Sequence, residues 1–146
     1  MSTVIFLGEQ GHYVSNRRFL TLLAFALQVA RDAATTGGEA LWVENLGEFE
    51  KQKFPGINFD LAERFPDLSE KKFWAQVFRD TARRIFLRQL GNHDITFWQA
   101  SAISDAYLIA QMLINVVLQS EAGWQPDTED SREAENFFRS EEISAE

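Results

Sequence analysis

Three stretches of the chain carry apolar residues at helical spacing, and the first of them follows a short N-terminal segment. Ser15 or Asn16 can cap the start of this helix, which runs to about Ala34 and is stopped by Gly37 and Gly38. Its polar residues form only a narrow strip, so most of its circumference is apolar. The pattern predicts a long helix that is buried on several sides.

The second stretch predicts a helix with one apolar and one basic flank. Asp67 and Glu70 have capping-box spacing at its start, and Gly91 lies where a left-handed residue is expected after its end. The basic flank, within residues 71–88, consists of Lys71, Lys72, Arg79, Arg83, Arg84 and Arg88. This arrangement predicts an amphipathic and partly exposed helix, called the basic helix below.

The third stretch predicts a long helix that begins at Asp94, which can cap it, and ends near Ser120. Asp105 is the only charged residue between Ile95 and Ser120. The most apolar part, residues 106–118, is shorter than the roughly 20 residues that a membrane-spanning helix needs. We therefore expect a buried helix and no membrane contact.

The remaining predicted elements are shorter. Residues 3–7 and 12–14 are typical of a small N-terminal β-hairpin. In residues 38–66, periodicity does not separate strand from helix. The sequence therefore predicts a mainly α fold, a helical bundle of three long helices with short helices and this small hairpin. We expect one helical domain over residues 1–123 and an acidic C-terminal tail over residues 124–146, in which a short helix can form.

The negative charge is concentrated near the C-terminus. Of the formal net charge of −8, residues 121–146 carry −7, from nine acidic and two basic residues, and residues 1–120 carry −1. An acidic segment beside a basic helix favours internal docking, a partner surface or a disordered solubilising extension. The candidate partner-binding residues are carboxylates and two adjacent aromatics. They are Glu44, Glu48, Glu50, Asp127, Glu129, Asp130, Phe137 and Phe138.

No catalytic, cofactor or metal site is predicted from sequence motifs. The chain has no cysteine, which excludes disulfides and thiolate chemistry, and its two histidines do not have the spacing of a zinc site. The N-terminal glycines lack the spacing of a phosphate-binding loop. We expect His12 to be an ordinary strand or turn residue, and His93 to satisfy a helix end.

Asp105 is the most informative single residue, because a buried and unpaired carboxylate is costly. It can lie on a wet strip with Ser101 and Ser104, pair with an arginine of the first helix, or act as a functional carboxylate. The arginines available for pairing are Arg17, Arg18 and Arg31. Asp105 and Arg31 are the candidate residues of a buried polar site.

Two of the long helices are apolar around most of their circumference, so a single chain of three helices and a hairpin covers them poorly. We therefore expect a homodimer. The acidic balance and the lack of a site motif favour a non-catalytic cytoplasmic protein that masks, neutralises or escorts a basic protein. An immunity protein, an inhibitor or a secretion chaperone has this character.

Two alternatives remain open at this point. The first is a small-molecule-binding protein or an enzyme with an inter-helical pocket, in which Asp105 acts with Tyr107, Trp98 or Arg31. The second and weaker one is a regulator that contacts nucleic acid through the basic helix, although the acidic balance disfavours a nucleic-acid partner.

Overall fold

The computed structural model describes residues 2–52, 58–90 and 97–127. Within these ranges the chain forms five helices and one three-stranded sheet. The helices are α1 (Asn16–Ala33), α2 (Gly37–Gln52), α3 (Leu61–Arg64), α4 (Leu68–Phe86) and α5 (Phe97–Ser120). The strands are β1 (Ser2–Leu7), β2 (Gln10–Ser15) and β3 (Asn58–Asp60). The prediction of a mainly α fold is confirmed.

The sheet has β1 in the centre, with β2 antiparallel on one side and β3 parallel on the other. Gly8 has a φ of 61° at the first of the two loop positions between β1 and β2, where glycine is favoured. The sequence predicted only a two-stranded hairpin. The additional strand, β3, is three residues long and places Phe59 opposite Ile5, and both side chains are fully buried.

Within residues 38–66, whose pattern did not distinguish strand from helix, the first part forms most of α2. The start of this helix differs from the expectation. Thr36 Oγ1 accepts from the Glu39 backbone N–H at 3.1 Å, and Glu39 Oε1 accepts from the Thr36 N–H at 3.2 Å. This reciprocal pair is a capping box. Gly37 and Gly38 are therefore the first residues of α2 and do not stop α1, which ends at Ala33.

The ends of α4 also differ from the sequence prediction. Asp67 occupies the N-cap position, but its side chain makes no capping hydrogen bond. At the other end, the Gln89 N–H donates to the Arg84 carbonyl at 2.8 Å and the Arg88 N–H donates to the Ile85 carbonyl at 3.0 Å. These two bonds form a Schellman motif, with Arg88 in the left-handed region at φ 60°. Gly91, expected in that role, lies outside the described residues.

The core lies between the sheet and helices α1, α4 and α5, and aromatic side chains run through it. Phe59 of β3 packs against Phe19 of α1, with ring centroids 4.9 Å apart, and against Phe49 of α2, at 5.4 Å. Phe65 stacks on Trp74 of α4 at 5.1 Å. Because α2 and the sheet cover α1, and α4 packs closely along α5, much of the apolar surface of both long helices is buried within one chain.

Candidate functional site

A buried carboxylate joins three elements of the fold near the N-terminal end of α1. Asp105 of α5 is 1% exposed, and its Oδ1 accepts from Arg18 Nη2 at 2.8 Å. The same oxygen lies 3.1 Å from Nε2 of His12. Since a carboxylate can only accept, Nε2 carries the proton in this contact. Asp105, His12 and Arg18 are called the carboxylate cluster below.

Local structure explains how the carboxylate cluster is assembled. Arg18 lies in the first turn of α1, which is fixed because Ser15 Oγ accepts from the Arg18 backbone N–H at 3.2 Å. His12 lies in β2 opposite Ile5 of the central strand. Asp105 lies on the face of α5 that packs towards α1. The sheet and both helices therefore hold the three side chains in a fixed relation.

The carboxylate cluster is not fully satisfied by the protein. Within the described residues, Asp105 Oδ2 is buried and has no hydrogen-bond partner, and neither does Arg18 Nε. The Arg18 and His12 side chains are about one-third exposed, whereas the Asp105 side chain is sealed. The Arg18 cation thus faces the Asp105 carboxylate, and the histidine ring connects the buried carboxylate with the surface.

His12 also lines a groove between β2 and α5. This cavity has a volume of about 390 Å³ and lies against Gln10, Gly11, Leu108, Gln111, Met112 and Asn115. Leu108 and Met112 supply apolar surface, whereas Gln111 Nε2 donates to Asn115 Oδ1 at 3.0 Å. The volume lies in the range of small-molecule sites. We refer to it as the β2–α5 groove.

The structure brings together some of the residues considered for Asp105 and separates others. Asp105 is buried and does not lie on a wet strip, and its partner is Arg18, one of the three arginines named from the sequence. Arg31 lies elsewhere, at an exposed position near the C-terminal end of α1. His12 was expected to have no special role, and the only sequence signal for this site was the single charge in an apolar helix.

Most side chains of the basic helix are engaged within the chain. Lys71 is 9% exposed, and its Nζ donates to the Phe65 carbonyl at 2.7 Å and to the Pro66 carbonyl at 3.0 Å. Lys72 forms an ion pair with Glu121, which follows α5. Lys71 therefore acts inside the fold, whereas Lys72 forms a partly exposed pair on the surface of the predicted amphipathic helix.

Among the arginines of the basic helix, Arg79 is buried and Arg84 is paired, whereas Arg83 and Arg88 are less engaged. Arg79 is 8% exposed, and burial lowers its pKa although Tyr107 and Asp80 oppose that shift. Arg84 Nη1 lies 3.3 Å from Asp32 of α1. Arg83 is half-buried, and Arg88 is exposed in the Schellman turn. Asp80 lies between these cations, yet burial raises its pKa.

The acidic residues of α2 have a different environment. Glu44 and Glu48 are exposed, and Glu50 is half-buried. Glu48 pairs with Lys51 at 3.2 Å, where both side chains are largely in water. Glu44 and Glu48 line a cavity of about 380 Å³ between the end of α1 and α2, together with Arg31 and Lys51. We call this the α2 surface.

The start of the predicted acidic tail packs on the body. Trp124 is partly buried against the core, and Pro126 is buried. Gln76 of α4 holds Asp127 by two bonds, since its Oε1 accepts from the Asp127 N–H at 2.6 Å and its Nε2 donates to the Asp127 carbonyl at 3.3 Å. Four candidate partner-binding residues lie outside the described residues. They are Glu129, Asp130, Phe137 and Phe138.

Two further properties of the described residues bear on the kind of site present. No group of three or more histidine, aspartate or glutamate side chains is positioned there to hold a metal ion. One helix, over residues 100–120, is long and apolar enough to cross a membrane by length and composition, and 56% of the tested window is buried inside the fold. Core helices of soluble proteins have the same length and composition, so this property is weak evidence for a membrane-spanning helix.

Comparison of the chain with models of protein families, with curated proteins and with solved structures gives no match.

Proposed function

We propose that this chain is a non-catalytic protein-binding module that masks, neutralises or escorts a basic protein. The observation that carries the proposal is the unequal use of charge within the fold. Four cations of the basic helix, Lys71, Lys72, Arg79 and Arg84, are buried or paired within the chain, whereas Glu44 and Glu48 of α2 face water. Arg31 and Lys51 also line the α2 surface and Lys51 pairs with Glu48, so the proposed acidic surface rests on Glu44 together with the acidic sequence after Asp127.

The engagement of the cations bears directly on the choice of partner. A phosphate backbone would have to compete with Glu121 for Lys72 and with Asp32 for Arg84. Lys71 and Arg79 are too buried to reach it without opening the fold. These contacts favour an acidic binding surface over nucleic-acid recognition by α4.

The sequence after Asp127 is also acidic. Residues 128–146 contain seven acidic and two basic residues, a net charge of −5. Gln76 fixes the point from which this segment continues, on α4. Clustered carboxylates of this kind accelerate encounter with a basic partner and make its binding sensitive to salt.

The biological setting that fits this proposal is cytoplasmic, and the class of protein is an immunity protein, an inhibitor or a secretion chaperone. We also propose a homodimer. Tyr13 and Leu41 are 72% and 54% exposed and are candidate contact residues. Light scattering coupled to size-exclusion chromatography tests the dimer, and a monomer mass at the concentration used for binding would refute it.

The protein-binding proposal is tested by affinity capture from cell lysate at low and high salt, followed by titration calorimetry with the purified partner. We expect a stoichiometric partner of basic isoelectric point that is lost at high salt. The variant Glu44→Gln/Glu48→Gln should weaken this purified complex about three- to tenfold, as expected when two surface ion pairs are removed.

The matched control is Glu9→Gln/Glu63→Gln, which removes the same charge from exposed residues on other elements. It should weaken the complex less than the α2 variant. A partner without basic character, or an affinity that does not change with salt, would overturn the proposal. Equal effects of both variants would show that net charge acts without a specific α2 surface.

A further inference from the structure

We propose that the β2–α5 groove binds a small neutral phenol with an apolar substituent, using His12 as its hydrogen-bonding group. This site is separate from the α2 surface and does not depend on the binding of a protein partner. The proposal rests on the buried carboxylate behind His12, on the free nitrogen of that ring, and on the neutral lining of the groove.

The contribution of Asp105 to stability does not by itself explain why a carboxylate is buried here. Replacing a buried ion pair by apolar residues is often neutral or stabilising, so stability alone does not call for Asp105 at this position. The contact at 3.1 Å does fix the orientation of the His12 ring at the wall of the groove. A carboxylate that orients a histidine in this way is a recurrent feature of functional sites.

The orientation of His12 decides which atom a ligand meets. Nε2 is committed to Asp105, so Nδ1 is the nitrogen left to bond a ligand. Nδ1 accepts when the ring is neutral and donates when the ring is protonated. A hydroxyl group can serve both states, because it donates and accepts. This favours a hydroxyl over an ammonium group, which only donates, or a carbonyl, which only accepts.

The charge of the groove favours a neutral ligand. His12 is the only ionisable side chain among the described residues that line it. Behind His12, the charge of Asp105 is balanced by Arg18 at 2.8 Å. While the His12 ring is neutral, a carboxylate or phosphate ligand would therefore find no free counter-charge there, and its desolvation would not be compensated.

The apolar part of the lining favours an aromatic ligand. Leu108 and Met112 lie beside His12, and a methionine thioether makes favourable contacts with aromatic rings. The volume of about 390 Å³ accommodates one substituted ring. Gln111 Oε1 and Asn115 Nδ2 remain at the rim, since these side chains are bonded to each other through their other atoms.

The test is a titration of the full chain with 4-propylphenol, observed through its methionine methyl groups. The chain contains two methionines, Met1 and Met112, and Met112 lines the groove, so 13C-methyl labelling gives a signal that reports on the groove. We expect saturable movement of the Met112 signal with a Kd of about 1 mM or tighter.

Two comparisons separate the proposed site from general hydrophobic binding. On the unmodified chain, 4-propylanisole has the same ring without the hydroxyl proton and should bind about three- to tenfold more weakly. The anion 4-propylbenzoate should not bind. His12→Phe keeps an aromatic ring and should reduce the affinity for the phenol to that for the anisole. Tyr13→Phe, on the opposite face of β2, should change nothing.

The proposal is overturned by any of three results. These are the absence of saturable movement of Met112, equal affinities for the phenol and the anisole, or binding of the benzoate as tight as that of the phenol. The two ligand comparisons use the unmodified chain, so they decide the matter even if His12→Phe fails to fold.

Discussion

Replacing Asp105 should separate the acceptor role of its carboxyl group from its charge. Its Oδ1 accepts two hydrogen bonds, from Arg18 at 2.8 Å and from His12 at 3.1 Å. Asp105→Ala removes both bonds and leaves the Arg18 cation only 28% exposed. A hydrogen bond to a charged group contributes about 1.5–3 kcal/mol, and breaking a buried pair costs about 3–5 kcal/mol.

Two features of the cluster reduce the expected loss of stability. Arg18 and His12 are partly exposed and can bond water in the variant, and the unsatisfied Oδ2 disappears with the carboxylate. We therefore expect Asp105→Ala to lower the free energy of unfolding by about 2–4 kcal/mol. Asp105→Asn keeps Oδ1 as an acceptor but loses the charge and places an NH2 donor where Oδ2 has no hydrogen-bond partner, so it should cost about 1–2 kcal/mol.

The assay is urea unfolding followed by circular dichroism, with the double variant Arg18→Met/Asp105→Leu as the matched comparison. Because both charges are replaced by apolar groups, the double variant should lose less stability than Asp105→Ala alone. A loss below about 0.5 kcal/mol for Asp105→Ala would refute the account of the cluster. Equal losses for Asn and Ala would show that charge, not acceptor geometry, is decisive.

Three further predictions concern local features. Arg88→Gly should stabilise the chain by about 1 kcal/mol in urea unfolding, since glycine adopts φ 60° without the cost that other residues incur. Thr36→Ala should lower the stability by about 1 kcal/mol in the same assay, because it removes half of the capping box. Burial raises the pKa of Asp80 above 3.8, so its stabilising contribution is complete at low pH and is lost as pH rises through the folded-state pKa. Asp80→Asn should therefore unfold at higher urea than the unmodified chain at neutral pH, with the difference vanishing below the ordinary pKa.

Each of these predictions has a result that contradicts it. Destabilisation by Arg88→Gly would mean that the arginine side chain contributes more than its backbone conformation costs. An unchanged stability in Thr36→Ala would show that the Glu39 half of the capping box suffices. A constant difference between Asp80→Asn and the unmodified chain across pH would show that the Gln76 contact, not ionisation, controls that site.

Sequence reasoning identified the long helices where the signals are local. The periodic apolar residues and the cap at Ser15 lie within the element that they define, so α1 could be placed from them. The same reasoning misassigned Gly37 and Gly38, because glycine pairs more often end helices than begin them. Thr36 and Glu39 have capping-box spacing and indicate the start of α2. The two glycines between them were interpreted as the end of α1 instead.

The candidate site was less accessible to sequence reasoning, because its residues are far apart in the chain. Asp105 stood out as a lone charge, and Arg18 was among its possible partners. His12 was not, since nothing local in β2 indicates that α5 passes beside it. For the basic helix, the sequence suggested more exposed cations than the structure has. The charge pattern alone does not show that Lys71 bonds backbone carbonyls or that Arg79 is buried.

The parallel pairing of β3 with β1 has a consequence for the order in which the molecule assembles. β1 and β2 are neighbours in sequence and can pair early, whereas β3 must wait until α1 and α2 have folded back, since loop closure comes at an entropic cost. Phe59 contacts both helices, through Phe19 and Phe49. The position of β3 therefore depends on these side-chain contacts as well as on its hydrogen bonds to β1. Hydrogen exchange at β3 should therefore report the opening of α1 and α2 as one cooperative unit, and the strand should detach whenever either helix lifts away.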